Sequence, residues 1–127
     1  MLNVNQTEYD LKNKYINFDS FEAPVDGKKR EGNALYITLI TDDFKLSIET
    51  VYDVEWINEL KVDDKKDISK YVVDLPYEDE KGWICLTNEC NCTLCKIDDQ
   101  RYEINLSGHF EEGTEQFDIE YSDIFEI

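Results

Sequence analysis

Cationic side chains are scarce in this sequence: 13 Lys and Arg stand against 30 Asp and Glu, a formal charge of −17 over 127 residues. A surface this anionic argues against anionic membranes and nucleic acid as direct partners. No run of about 18 apolar residues occurs, so no apolar helix long enough to span a bilayer is expected. The start, Met1-Leu2-Asn3-Val4-Asn5-Gln6, has neither the basic n-region nor the apolar h-region of a signal peptide, and the expected location is the cytoplasm. Histidine occurs once, at His109. No strained nucleophile elbow, oxyanion loop or cofactor motif accompanies it, so neither an enzyme nor a bound cofactor is expected.

What is present suits a folded domain. Hydrophobic residues make up 41% and aromatic residues 13%, too much for a disordered acidic tail. One domain spanning 1–127 is expected, and a chain of this length buries roughly two-thirds of its unfolded surface, enough for a core without disulfide or metal. The acids are unevenly spread. Residues 42–80 carry 13 acids and 5 bases, residues 98–127 carry 10 acids and one base, and the rest is neutral in sum. Such self-repulsion opposes folding. Salt adaptation and drift in an acidic proteome compete with a functional explanation, although 11 lysines fit salt adaptation poorly.

Period-two patterning dominates the C-terminal third. Trp83–Thr87, Cys92–Ile97, Arg101–Phe110 and Phe117–Ile127 read as consecutive strands. Turns are expected at Asn88–Asn91, Asp98–Gln100 and Glu111–Thr114. Tyr102, Ile104, Leu106 and Phe110 point one way, and Arg101, Glu103, Asn105, Ser107 and His109 the other. Leu35–Ile40 and Phe44–Tyr52, separated by Thr41-Asp42-Asp43, form a hairpin with Phe44, Leu46 and Ile48 inward. Pro24–Asn33 reads as a loop holding the basic cluster Lys28-Lys29-Arg30, more simply a solvated loop than a nucleic-acid site. Thr7 fits the cap of a short helix through about Tyr15, though Tyr15–Phe18 fits a strand as well. Val54–Leu60 fits either a strand or a helical turn. Asp67 fits an N-cap, with Ile68, Tyr71, Val72 and Leu75 on one helical face before Pro76, although Tyr-Val-Val also suits a strand. The expected fold is mainly β (all-β or α+β): an antiparallel meander and hairpin forming a sandwich or strongly curved sheet, with one or two short helices.

Four cysteines fall within eleven residues, at Cys85, Cys90, Cys92 and Cys95. Four thiolates can hold zinc or an iron–sulfur cluster, but this spacing lacks the paired knuckles such sites use, and a strand sends Cys92 and Cys95 to opposite faces. Reduced cysteines serving as small hydrophobes are the simpler reading. Ser107 and His109 share a face with Glu103, which lines up a solvent-facing polar row rather than a catalytic triad. Asp63-Asp64-Lys65-Lys66-Asp67 approaches a calcium loop but lacks its glycine.

The functional expectation follows from charge. A compact anionic scaffold without catalytic motifs suits a stoichiometric inhibitor or immunity-type protein whose partner is a basic protein, such as a nuclease or another nucleic-acid-binding protein. The expected contact residues are the turn carboxylates Glu78, Asp79, Glu80, Glu111 and Glu112, with Asp63 and Asp64 contributing to the rate of approach. The alternatives are a small-ligand or carbohydrate-binding sandwich, for which two Trp and eight Tyr offer stacking surfaces, and a cysteine-cluster metalloprotein.

Overall fold

Alternating side chains build two antiparallel sheets that close on one core. The computed structural model describes residues 1–25, 28–50, 60–86 and 90–126, and their side chains except at 18–25, 28–34, 73 and 112. Sheet A contains β1 (Leu2–Val4), β2 (Thr7–Tyr9), β6 (Lys65–Asp67), β10 (Cys90–Lys96), β11 (Arg101–Glu112) and β12 (Glu115–Glu126), in the order β2-β1-β12-β11-β10-β6. Sheet B contains β3 (Asn13–Val25), β4 (Lys28–Ile40), β5 (Phe44–Thr50), β8 (Pro76–Asp79) and β9 (Gly82–Cys85) in chain order, with β7 (Val72–Asp74) pairing with β5. The architecture is mainly β and consistent with a sandwich.

The period-two residues are the core. Leu35, Ile37 and Leu39 of β4 and Leu46 and Ile48 of β5 are fully buried in sheet B. Leu94, Ile104 and Phe110 are fully buried in sheet A, and Leu106, Ile119, Tyr121 and Phe125 nearly so. Each such side chain contributes roughly 1.5–3 kcal/mol relative to exposure. An aromatic contact bridges the layers: Tyr77, stacked on its sheet-B neighbour Phe44 at 5.1 Å between centroids, meets Phe117 of sheet A at 5.0 Å.

The Thr41-Asp42-Asp43 hairpin loop forms as expected, and Thr41 is its clasp. Its buried hydroxyl accepts the amides of Asp43 (3.1 Å) and Phe44 (3.0 Å) and donates to the Phe44 carbonyl (3.1 Å). The Asp98–Gln100 turn also forms. Asp98 Oδ1 accepts the amides of Gln100 and Arg101, both at 2.9 Å, and its other oxygen pairs with Arg101 Nε at 2.7 Å.

Several expectations are corrected. Trp83 does not open the meander, because β9 pairs with β8 in sheet B; the meander is β10–β11–β12. No helix runs from Thr7. Asn5 and Gln6 both take positive φ, 52° and 66°, the geometry of a two-residue hairpin turn whose twist matches the strands it joins. Thr7 therefore returns along β1, in register with Val4.

The helix expected after Asp67 shrinks to a 3-10 turn, Ser69–Tyr71. Asp67 does accept the Ser69 amide at 2.9 Å, but Val72 is already extended (φ −74°, ψ 115°), and the β-branched segment pairs with β5 instead. This turn carries the chain from the edge of sheet A to sheet B. The loop expected at Pro24–Asn33 is narrower than expected, since β3 and β4 pair from Asn13–Ile40 to Val25–Lys28. Asp26 and Gly27, Val51–Glu59, Thr87–Glu89 and Ile127 lie outside the described residues, as do the expectations that fall on them. Among the described residues no helix is long and apolar enough to cross a membrane.

Candidate functional site

Hairpin turns are where a sandwich leaves its carboxylates open to a partner. At one end, turns from both sheets converge on Tyr77. The β4–β5 turn brings Asp42 and Asp43, since Phe44 pairs with Asp79 at the end of β8. Glu80 and Lys81 link β8 to β9. Gly113 and Thr114 link β11 to β12, and Gly113 has the positive φ (63°) that a two-residue turn asks of its first central residue. The layers touch here: Lys81 Nζ lies 3.9 Å from Glu115 Oε1. A depression of about 340 Å³ between the turns is lined by Tyr77, Asp79, Lys81, Trp83, Gly113 and Glu115.

Tyr77 registers the field. Burial, then Asp79, Tyr9, Glu115 and Asp43, push its phenol up to about 12. Bases stand among these acids too: Lys81, beside Glu115, Lys12, 2.6 Å from Asp42, and Lys45, the cross-strand neighbour of Glu78. Asp79 Oδ1 also accepts the Lys81 amide at 2.8 Å. Glu78 and Glu80 are exposed. Trp83, the cross-strand neighbour of Glu78, is 62% exposed, a large flat aromatic at the rim.

The expected contact residues divide into groups. Glu78, Asp79 and Glu80 lie at the convergent end, but only Glu80 is in the turn; Glu78 and Asp79 are paired on both sides as the last residues of β8. Glu111 and Glu112 do not form the reversal itself but end β11, paired with Gln116 and Glu115 beside the Gly113–Thr114 turn. Glu111 is engaged by His109 Nε2 at 3.3 Å. Asp63 and Asp64 are elsewhere. They sit in an exposed turn bonded to β10 through Lys96 (Asp63 N–H to Lys96 carbonyl, 2.7 Å). That is the Arg101 end of sheet A, separated from Glu112 by the length of β11, about 36 Å. Asp64 Oδ2 accepts the Lys61 amide at 2.9 Å.

His109 bridges carboxylates on the outward face of sheet A. Its Nδ1 meets Asp118, its cross-strand neighbour, and its Nε2 meets Glu111; both contacts raise its pKa, Asp118 more. Ser107 takes no part in these contacts. The cysteines are divided between sheets, Cys85 on β9 and the other three on β10. Cys92 is buried in the core, and burial pushes its thiol up to about 12, which removes nucleophilic character. Cys85 Sγ donates to Asp74 Oδ2 at 3.2 Å.

Sequence reasoning missed one acidic pair. Glu49 on β5 and Asp74 on β7 are cross-strand neighbours. Partial burial and the Asp74 charge raise the Glu49 pKa, and Asp74 Oδ1 is buried without a hydrogen-bond partner among the described residues. The outward phase of Glu49 was readable in β5, but its neighbour follows only from the β5–β7 pairing.

No family model, curated protein or solved structure matches this chain.

Proposed function

We propose that the protein binds a basic protein through its acidic, turn-bearing end, as a stoichiometric inhibitor of the immunity type. The observation that carries this reading is the convergence on Tyr77 of Asp43, Asp79 and Glu115 from three separate hairpins. Carboxylates gathered from the ends of three hairpins are held apart by the paired strands and can meet several Arg or Lys side chains at once, with bidentate pairing for Arg. The exposed Trp83 beside them belongs to the residue type that anchors interfaces and stacks against guanidinium groups. Charge spread over the rest of the molecule, including Asp63 and Asp64, steers the approach. A nuclease or another nucleic-acid-binding protein presents the complementary cationic surface.

The test is association kinetics against the partner recovered by native copurification, measured at several salt concentrations. Combined Glu78→Lys, Asp79→Lys and Glu80→Lys substitution is expected to slow association and speed dissociation. Asp63→Lys with Asp64→Lys is expected to slow association alone. Salt-independent rates, or full affinity after reversal at Glu78–Glu80, overturn the reading.

A further inference from the structure

Strand β3 is an edge unlike the other three. The outermost strands β2, β6 and β9 have three, three and four residues, short enough to offer a foreign strand little to pair with. β3 closes sheet B with thirteen residues, Asn13–Val25, paired to β4 in unbroken register. Its other side meets no strand among the described residues, which leaves a long row of open backbone donors and acceptors. The hairpin also outruns its sheet. β4 pairs with β3 from Lys28 to Ile40 but with β5 only from Tyr36 to Ile40. Among the described residues, Asp19–Val25 and Lys28–Ala34 therefore form a two-stranded ribbon, which is marginal in water until further strands join it. Charge singles out the same element. Residues 13–40 carry four acids and four bases in a chain of −17, so a second copy meets least repulsion here.

Self-pairing restricts the register. Opposed residues in an antiparallel ladder are both hydrogen-bonded or both not, so two copies of β3 can pair only with some residue facing itself at the two-fold axis. An axis at Asp19 overlaps the whole strand but sets that carboxylate against its own copy. An axis at Ser20 sets Glu22 opposite Phe18. An axis at Phe18 pairs Asn13–Ala23 with itself, and twice over it sets Lys14 opposite Glu22 and Tyr15 opposite Phe21. Tyr15 is 48% exposed, and this register gives it an aromatic neighbour across the strands. The Lys14 ammonium, held by Asp123 at 2.9 Å, is still 36% exposed. The same geometry keeps the acidic ends apart. The turn bearing Asp42 and Asp43 adjoins the Asn13 end of β3, and antiparallel pairing sends the two Asn13 residues about 34 Å from each other. That is several times the screening length at physiological salt.

We propose that β3 is the interface of a symmetric dimer, in which Asn13–Ala23 pairs antiparallel with the same segment of a second copy about an axis at Phe18. The two sheets B then run on as one, and the ribbon becomes the centre of a four-stranded array, β4-β3-β3-β4. Sedimentation equilibrium of the purified chain, from about 10 μM to about 1 mM, is expected to show a monomer–dimer equilibrium that tightens with added salt. In the dimer, hydrogen exchange read by NMR is expected to slow at alternate amides of Asn13–Ala23, those that point away from β4. Glu22→Lys places a like charge opposite Lys14 at both ends of the interface and is expected to weaken dimerisation at least about tenfold, with the monomer's backbone spectrum still folded. A monomer at every concentration overturns the proposal. So does a dimer whose β3 amides exchange as fast as the monomer's, or one undiminished by Glu22→Lys.

Discussion

The ring of Phe110 lies over Gly108, with Cζ 2.6 Å and Cε2 2.8 Å from where a Cβ on residue 108 would stand. Both residues face the core from β11, and Phe110 is fully buried. The glycine is there for space, since its φ is not in the left-handed region. Gly108→Ala drives a methyl group into a ring that cannot retreat, and is expected to cost roughly 1–3 kcal/mol, more than a glycine replacement returns through the unfolded chain. Denaturant midpoints measure this. Pairing it with Phe110→Leu is expected to recover part of the loss, and equal costs in both backgrounds would show that the ring is not the obstacle.

His109 gives the hairpin β11–β12 a pH dependence. Its pKa is raised from 6.5, first by Asp118 and then by Glu111. A raised value in the folded state means that the protonated form is the one folding favours. The contribution is therefore complete below about pH 6.5 and is lost as pH climbs through the higher folded value. Wild-type stability is expected to decline over that window relative to His109→Gln, in which the decline is absent. Thermal unfolding of both proteins between pH 5.5 and 8.5, a span of about three units around the histidine's range, reads the difference. Parallel curves would contradict it.

At Glu49 the sign has a different consequence. Burial and Asp74 raise its pKa, so folding favours the protonated acid. Stability associated with this group is present in acid and falls as pH rises through the folded pKa, leaving like charges side by side at neutrality. Glu49→Gln is expected to stabilise the protein at pH 7, within about 1 kcal/mol, with the gain shrinking in mild acid. Urea midpoints at pH 7 and in mild acid decide it, and destabilisation at neutral pH would mean that the Glu49 carboxylate holds an attractive partner.

The cysteines of β10 are expected to respond by face. Cys92 is fully buried, so Cys92→Ser places a hydroxyl among apolar groups at about 1–3 kcal/mol. Cys95, on the opposite face, is partly exposed, and Cys95→Ser is expected to stay within about 0.5 kcal/mol. Equal losses at the two positions, with release of a metal ion, would point to a shared ligand role.

Much of this fold could be read from the order of residues. Phe44, Leu46 and Ile48, like Tyr102, Ile104 and Leu106, declare their inward phase because a strand sends alternate side chains to opposite faces. The sheet to which a strand belongs is decided by its partner, and periodicity does not encode partners. Trp83–Cys85 has a strand's pattern whether it leads the meander or, as found, pairs with Pro76–Asp79. The Asn5–Gln6 turn carries no glycine to mark it, although asparagine tolerates positive φ. At the candidate site, Glu80 was legible as an exposed turn acid, whereas Glu78 and Asp79, expected in the same turn, end strand β8. The meeting of Asp79 with Asp43 and Glu115 was not legible, since it depends on how one sheet lies over the other.

Because β1 lies against β12, with the Met1 ammonium held by Ser122 across 121 residues of sequence, β1 finds its neighbour only after nearly all of the intervening chain has been made. Leu2 and Val4, buried in the finished core, must wait exposed until Ile119 and Tyr121 have been made. A topology weighted toward such distant pairings folds slowly, over milliseconds to seconds. During that interval the chain carries unpaired strand edges and bare apolar side chains, the condition in which growing polypeptides aggregate. A strong like charge keeps such chains apart. The excess of carboxylates thus bears on the chain before it has folded, holding nascent copies apart until β1 and β12 pair.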